Sequence, residues 1–230
     1  MTSLFIISAP SGSGKSTLVD MLRKLVEGLD FSVSYTTRPP RGSEQNRREY
    51  FFVPRPEFEA MVARGEFLEH ADVFGNYYGT ARRFLDEARQ KGHDLLLDID
   101  VQGASQVQKA IPDAVSIFVL PPNHESLEWR LRHRGTDSES VICRRLDTAR
   151  REIENYDKYD YILVNDRLEE SADLLKAIVL WERARRSGRP LTEQVQALRK
   201  VAEQCCLRNM QDRVQPILDS FRRARVQGRC

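Results

Sequence analysis

The residues Ala9-Pro10-Ser11-Gly12-Ser13-Gly14-Lys15-Ser16-Thr17 combine the side chains and the backbone freedom needed to hold a polyphosphate. A glycine-rich turn can point successive backbone N–H groups inward at a β-phosphate, Lys15 can reach the β- and γ-phosphates, and the Ser16 hydroxyl suits Mg²⁺. The context fits. Leu4-Phe5-Ile6-Ile7-Ser8 reads as a buried strand before the turn, and Leu18, Met21, Leu22 and Leu25 mark one face of a helix after it. Such loops usually begin with Gly, and Ala9 replaces it without touching the glycines nearest the phosphates. The simpler alternative is a Gly/Ser turn that caps a helix. On its own the loop implies a nucleoside triphosphate and leaves the acceptor open.

A second group of residues carries acceptor chemistry: Ser34, Arg38, Arg41, Glu44, Tyr50, Glu69, Tyr78 and Thr80, followed by Asp98 and Asp100. Two Arg forks and two Tyr hydroxyls suit a phosphate dianion. Guanine offers an acceptor at O6 and donors at N1 and N2, so a carboxylate that accepts two N–H bonds, beside a hydroxyl that donates to O6, is complementary to it. Adenine has the opposite pattern, and a mismatch of this kind can cost on the order of 10⁴ in selectivity. Taken singly, each residue has a structural reading: a loop charge, hairpin packing by Tyr77 and Tyr78, or a helix-end carboxylate.

Together with the phosphate loop, these residues resemble the guanylate kinase family over residues 3–186. The resemblance implies transfer of the γ-phosphoryl group of ATP to GMP. It places Arg38, Arg41, Tyr50 and Tyr78 on the GMP phosphate, Ser34, Glu69 and Thr80 on the guanine, and Asp98 and Asp100 beside base and metal. It also implies a lid in which Arg134 and Arg145 fold over the ATP phosphates and join Lys15 as the catalytic set. Asn165, in the turn after a strand, would lie near the adenine. Arg47 departs from the family pattern, which has Gly there, and Arg pays more than Gly for a positive φ.

Phosphoryl transfer between two polyanions is chiefly alignment and neutralisation, so the lack of a His or Asp base motif is consistent with activity. A catalytically inactive guanylate-kinase-like binding module is an alternative reading, which Lys15-Ser16 opposes. A kinase for another phosphate acceptor, such as a ribose bisphosphate, is a second, in which Ser34, Glu69 and Thr80 would have no purpose.

The elements that must position these groups alternate between short apolar runs, at 4–8, 95–99, 115–120 and 161–164, and longer segments of helical period. That pattern predicts an α/β fold with a parallel sheet covered on both faces. With the resemblance it becomes a P-loop three-layer fold whose core takes residues 1–33, 84–122 and 157–187. An inserted GMP-binding subdomain covers 34–83, and a mobile lid, rich in Arg and poor in apolar positions, covers 123–156.

Residues 188–230 read as a basic amphipathic helical extension. Val195, Leu198, Ala202, Cys205 or Cys206, Met210, Val214, Ile217 and Phe221 recur at three- and four-residue steps, with Pro216 as a kink. From Glu182 onward there are 12 basic and 5 acidic residues, within a whole chain of net charge +2. The stripe predicts packing on the core or a homo-oligomer through these helices, ahead of nucleic-acid binding, because no aromatic platform accompanies the arginines. The four Cys residues lack zinc-ligand spacing and suggest no disulfide framework. No apolar run spans a bilayer and no leader pattern is visible, so the expected setting is cytoplasmic.

Overall fold

The computed structural model describes residues 2–73, 75–133, 138–188 and 190–226. In chain order its first elements are β1 (Leu4–Ser8), α1 (Lys15–Leu25), β2 (Leu29–Phe31), β3 (Tyr35–Thr36), β4 (Phe51–Phe52), α2 (Arg55–Ala63), β5 (Phe67–Val73), β6 (Asn76–Ala81) and α3 (Arg83–Lys91). There follow β7 (Asp94–Asp98), α4 (Val101–Ala110), β8 (Val115–Leu120), α5 (His124–Arg132), α6 (Glu139–Ile153), β9 (Tyr161–Val164), α7 (Leu168–Arg186), α8 (Glu193–Gln204) and α9 (Leu207–Val226). The α/β alternation and the parallel pairing expected from the apolar runs are both present. Two compact units result, one from the chain up to Ile6 with Gly28–Ala114, the other from Ile7–Glu27 with the chain from Val115 onward.

The first unit has strand order β2-β7-β1, with β2 and β7 parallel in the register Leu29↔Asp94 to Phe31↔Leu96. It also holds a second sheet, of order β4-β3-β6-β5, in which β6 runs antiparallel to both β3 and β5. Alternation along β6 divides its side chains between two faces. Tyr77, Gly79 and Ala81 face a small aromatic core of Tyr35, Phe58, Met61 and Phe67. A Cβ on Gly79 would stand 2.9 Å from Phe67 and 3.0 Å from Phe58, so glycine lets this stack close onto the strand. Tyr78 and Thr80 are left for the opposite face. Of the pair Tyr77-Tyr78, the first is therefore packing, stacked on Phe58 at 5.4 Å, and the second is available for chemistry.

The second unit has strand order β1-β8-β9, with β8 and β9 parallel from Ile117↔Tyr161 to Leu120↔Val164. Helix α7 packs on α1, α8 and β9, and α9 packs on α5 and β9. The outer edge of β9 is closed where α8 meets α9. Ile162 N–H donates to Cys205 O at 2.7 Å, and Leu207 N–H donates to Asp160 O at 3.0 Å. An otherwise unpaired edge is thus covered, which blocks edge-to-edge association. On α9 the residues Met210, Val214, Ile217, Phe221 and Ala224 are all buried. The α9 part of the apolar stripe that sequence reading assigned either to packing or to a second subunit is therefore buried within the chain, whereas Val195 and Leu198 on α8 are only half-buried.

Three expectations change. Leu25, read as part of the buried face of α1, is 41% exposed, and Val19 is buried there instead. Helix α6 is less bare than its arginines suggest, since Ile142, Leu146, Ala149 and Ile153 form a buried stripe at helical spacing. Cys143 is disulfide-bonded, whereas Cys205 and Cys206 are free thiols. Among the described residues no helix is long and apolar enough to cross a membrane.

Candidate active site

In the second unit, residues 9–14 leave the buried end of β1 and turn into α1 at Lys15. Two glycines make the turn possible, Gly12 at φ 94° and Gly14 at φ 87°, both in the left-handed region that other L-residues avoid. Space is equally restricted: a Cβ on Gly12 would stand 2.9 Å from Leu127 and from Leu131, and one on Gly14 would collide with the Asn165 amide. The Asn165 side chain, 3% exposed, donates to Ser13 O at 2.7 Å, while Arg130 Nη2 donates to Asn165 O at 2.8 Å. Asn165 follows β9 directly, so the strand end holds the phosphate loop. Sequence reading placed Asn165 near adenine; the structure joins its amide to the loop's backbone.

Arg145, on α6, reaches the same loop. Its Nε and Nη2 donate to Ser11 Oγ at 3.2 and 2.8 Å. Lys15 and Ser16 begin α1, whose first-turn N–H groups and dipole favour an anion. Ser16 and Thr17 are exposed. Arg134, the other arginine of the sequence-predicted lid pair, lies outside the described residues.

The first unit brings together Glu69 and Thr80, which the resemblance assigns to the base, with Asp98, Asp100 and Ser34. Glu69 and Thr80 are directly opposed in the β5–β6 ladder, next to a register shift between Phe67 and Glu69 that re-aims the strand. Glu69 is 5% exposed and Thr80 fully buried, and Thr80 Oγ1 donates to Glu69 Oε1 at 2.7 Å. Burial pushes the Glu69 carboxyl up to about 7, reinforced by the nearby Asp100 charge and opposed by the Thr80 hydrogen bond. The Thr80 proton is thus committed to Glu69, which leaves the Thr80 hydroxyl with acceptor capacity only. Asp98 ends β7, and Asp100 caps α4 by accepting from Gly103 N–H at 2.8 Å. Ser34 is half-buried just before β3.

The sequence-predicted phosphate group also converges. Arg38 is 6% exposed; its Nε donates to Tyr78 Oη at 3.1 Å, and its guanidinium lies 5.3 Å from the Tyr50 ring centroid. The Tyr50 and Tyr78 rings meet edge-on at 5.8 Å, and burial raises the Tyr50 hydroxyl's pKa. Glu44 has a part that sequence reasoning did not assign. It takes a bidentate pair from Arg38 at 2.9 and 3.0 Å, accepts Arg41 N–H at 2.7 Å, and is held below the usual carboxylate range chiefly by Arg38. An acid six residues from an Arg across a Pro-rich loop was the available signal. Arg41 itself is exposed, and Arg47 sits at φ 69° in the same loop, so the glycine-like turn geometry survives the substitution.

The guanylate kinase family model matches residues 1–182. A guanylate kinase of Koribacter versatilis is 58% identical over 225 residues, covering 96% of this chain and 97% of that protein. The chain belongs to the guanylate kinase family. It is an ATP:GMP phosphotransferase, a nucleoside monophosphate kinase. A guanylate kinase of Neisseria gonorrhoeae is 52% identical over 185 residues, which is 80% of this chain and 90% of that one. The crystal structure of guanylate kinase from Anaplasma phagocytophilum superposes with a TM-score of 0.64 at 37% identity, covering 80% of this chain and 86% of that one. The coverage of the Koribacter relative is broad enough to take in part of the C-terminal helices.

Proposed function

We propose that the two clusters divide the reaction: the phosphate loop with Arg145 and Arg134 holds ATP, and the β5–β6 face with the loop before it holds GMP. The observation that carries this reading is the pairing of Glu69 with Thr80 on the same strand face as Tyr78 and its partner Arg38. Residues two apart on a strand are about 7 Å apart on one face. That spacing lets one surface engage a purine and the phosphate of the same nucleotide. Glu69 accepts from N1–H and N2–H, Ser34 donates to O6, and Thr80 orients Glu69 and offers its remaining lone pairs to the 2-amino group. Arg38, Arg41, Tyr50 and Tyr78 seat the phosphate, with Glu44 fixing the Arg38 fork. Asp98 and Asp100 flank the base.

In the transfer, a GMP phosphate oxygen attacks the γ-phosphorus in line, an O–P bond forms, the β,γ-bridging bond breaks, and ADP leaves. The attacking oxygen is already anionic, since phosphate monoesters lose their second proton near pH ~6, so no strong general base is required. Lys15 and the lid arginines neutralise charge that develops on the transferring group. Asn165 acts on ATP by holding the loop at Ser13.

The loop suits a hard cation. Ser16 is exposed in the first turn of α1, and the described residues contain no group of three or more His, Cys, Asp or Glu able to hold a metal. Ser16 is the residue that would hold Mg²⁺ beside the ATP phosphates. Bound Mg²⁺ supplies charge neutralisation at the β- and γ-phosphates. The setting is cytoplasmic, and the buried stripe of α9 favours the extension as a structural brace over an oligomer contact.

The test is a coupled ADP-release assay with GMP, dGMP, AMP, UMP and CMP as acceptors and Lys15→Ala as control. Guanine acceptors should dominate, and Lys15→Ala should abolish turnover. Equal activity with AMP and GMP would refute the assignment of the base site.

A further inference from the structure

Gly103 occupies the first turn of α4 with an ordinary helical backbone, where alanine is the better helix former. Its reason is space. A Cβ built there would stand 2.5 Å from Glu69 Oε2, 2.9 Å from Cδ and 3.3 Å from Cγ. By contrast, Gly42, Gly65, Gly75, Gly92 and Gly188 have nothing within 4 Å and are explained by positive φ. One turn further along α4, Gln106 grips the residue after Glu69: its Nε2 donates to His70 O at 2.8 Å, and its Oε1 accepts His70 N–H at 3.3 Å. Helix α4 is therefore pinned to β5 beside Glu69, so room for a methyl group on Gly103 has to come from the Glu69 side chain itself.

We infer that Gly103 is a positioning residue for guanine recognition: its missing side chain is the space in which the Glu69 carboxylate lies, and Gln106 fixes that spacing. The inference rests on the reading of Glu69 as the guanine reader. A Cβ at 103 forces the Glu69 side chain to rotate, which breaks its Thr80 bond and withdraws Oε2 from the base.

The experiment uses the full chain and calorimetric GMP titration, with steady-state kinetics alongside, for wild type, Gly103→Ala, Glu69→Asp and the double variant. Gly103→Ala should raise Kd and KM for GMP about tenfold to hundredfold, with the loss falling on KM for GMP rather than on KM for ATP. In the Glu69→Asp background the same change should cost less than about threefold, because the shorter side chain withdraws the carboxyl from the added methyl. An unchanged GMP Kd in Gly103→Ala, or an equal penalty in both backgrounds, overturns the inference. Gln106→Ala provides a second arm should Gly103→Ala not fold: a weaker GMP Kd with ATP KM unmoved supports the seat, and an unchanged Kd overturns it. Glu69→Gln separates the two layers. If it binds GMP like wild type, the guanine reading falls together with the inference; if it binds weakly while Gly103→Ala does not, only the inference falls.

Discussion

Lowering the pH from 8 to 6 should weaken GMP binding through Glu69. Its carboxyl sits at about 7 because burial and Asp100 disfavour the ionised form, yet only the carboxylate accepts both N1–H and N2–H of guanine. With that value, about nine tenths of the groups are ionised at pH 8 and about one tenth at pH 6, so Kd should rise about tenfold, or ~1.4 kcal/mol. The GMP phosphate also titrates near pH ~6, so the wild-type slope alone is ambiguous. Calorimetric titration of wild type and Glu69→Gln with the same ligand removes that contribution. At pH 7 the wild type should release about half a proton more per GMP bound than the variant, read from the dependence of enthalpy on buffer ionisation. The sign also fixes stability. A folded value above the unfolded 4.5 means that the empty protein binds the extra proton and loses stability as pH rises from about 4.5 through about 7. That loss is at most ~3 kcal/mol, should be absent in Glu69→Gln, and should shrink when GMP is bound. Identical pH slopes for GMP affinity in the two proteins would refute the reasoning.

Other perturbations test separate joints. Asn165→Ala removes the buried amide that carries Ser13 O and should cost ~1–3 kcal/mol of ATP affinity, seen as a raised ATP KM, with GMP Kd unmoved. Arg47→Gly relieves a positive φ and should stabilise the fold by about 0.5–1 kcal/mol in urea denaturation; destabilisation would show that the Arg side chain is needed there. Phe221→Ala empties a fully packed site where α9 meets His124 of α5, at 5.1 Å between rings, and should cost about 3–5 kcal/mol in the same assay. A loss below ~1 kcal/mol would mean that the extension does not brace the core.

The strands were readable because a sheet covered on both faces turns its sequence into uninterrupted apolar runs: residues 4–8, 115–120 and 161–164 are β1, β8 and β9. The phosphate loop was readable because its chemistry is local, with glycines and Lys15 inside nine residues. Contacts between distant segments were not. Asn165 reaches Ser13 across 152 positions, and spacing alone says only that it ends a strand. The direction of the Thr80 hydroxyl depends on its cross-strand partner, so a residue type suited to donating toward guanine proves to be spent on Glu69. The buried stripe of α6 was hidden by its arginines, and Leu25 fits the helical period yet is exposed as the last residue of α1, while Val19 is buried. Closure of the β9 edge by Cys205 and Leu207 is a backbone event that side-chain patterns do not encode.

The central claim is that one strand face reads guanine through Glu69 and seats the same nucleotide's phosphate through Arg38 and Tyr78. A crystal structure of the full chain with GMP measures this directly. The account predicts N1 and N2 within hydrogen-bond distance of the two Glu69 carboxylate oxygens and the phosphate on Arg38, Tyr50 and Tyr78. A base seated away from Glu69, or a phosphate that leaves Arg38 paired with Glu44 alone, would contradict it.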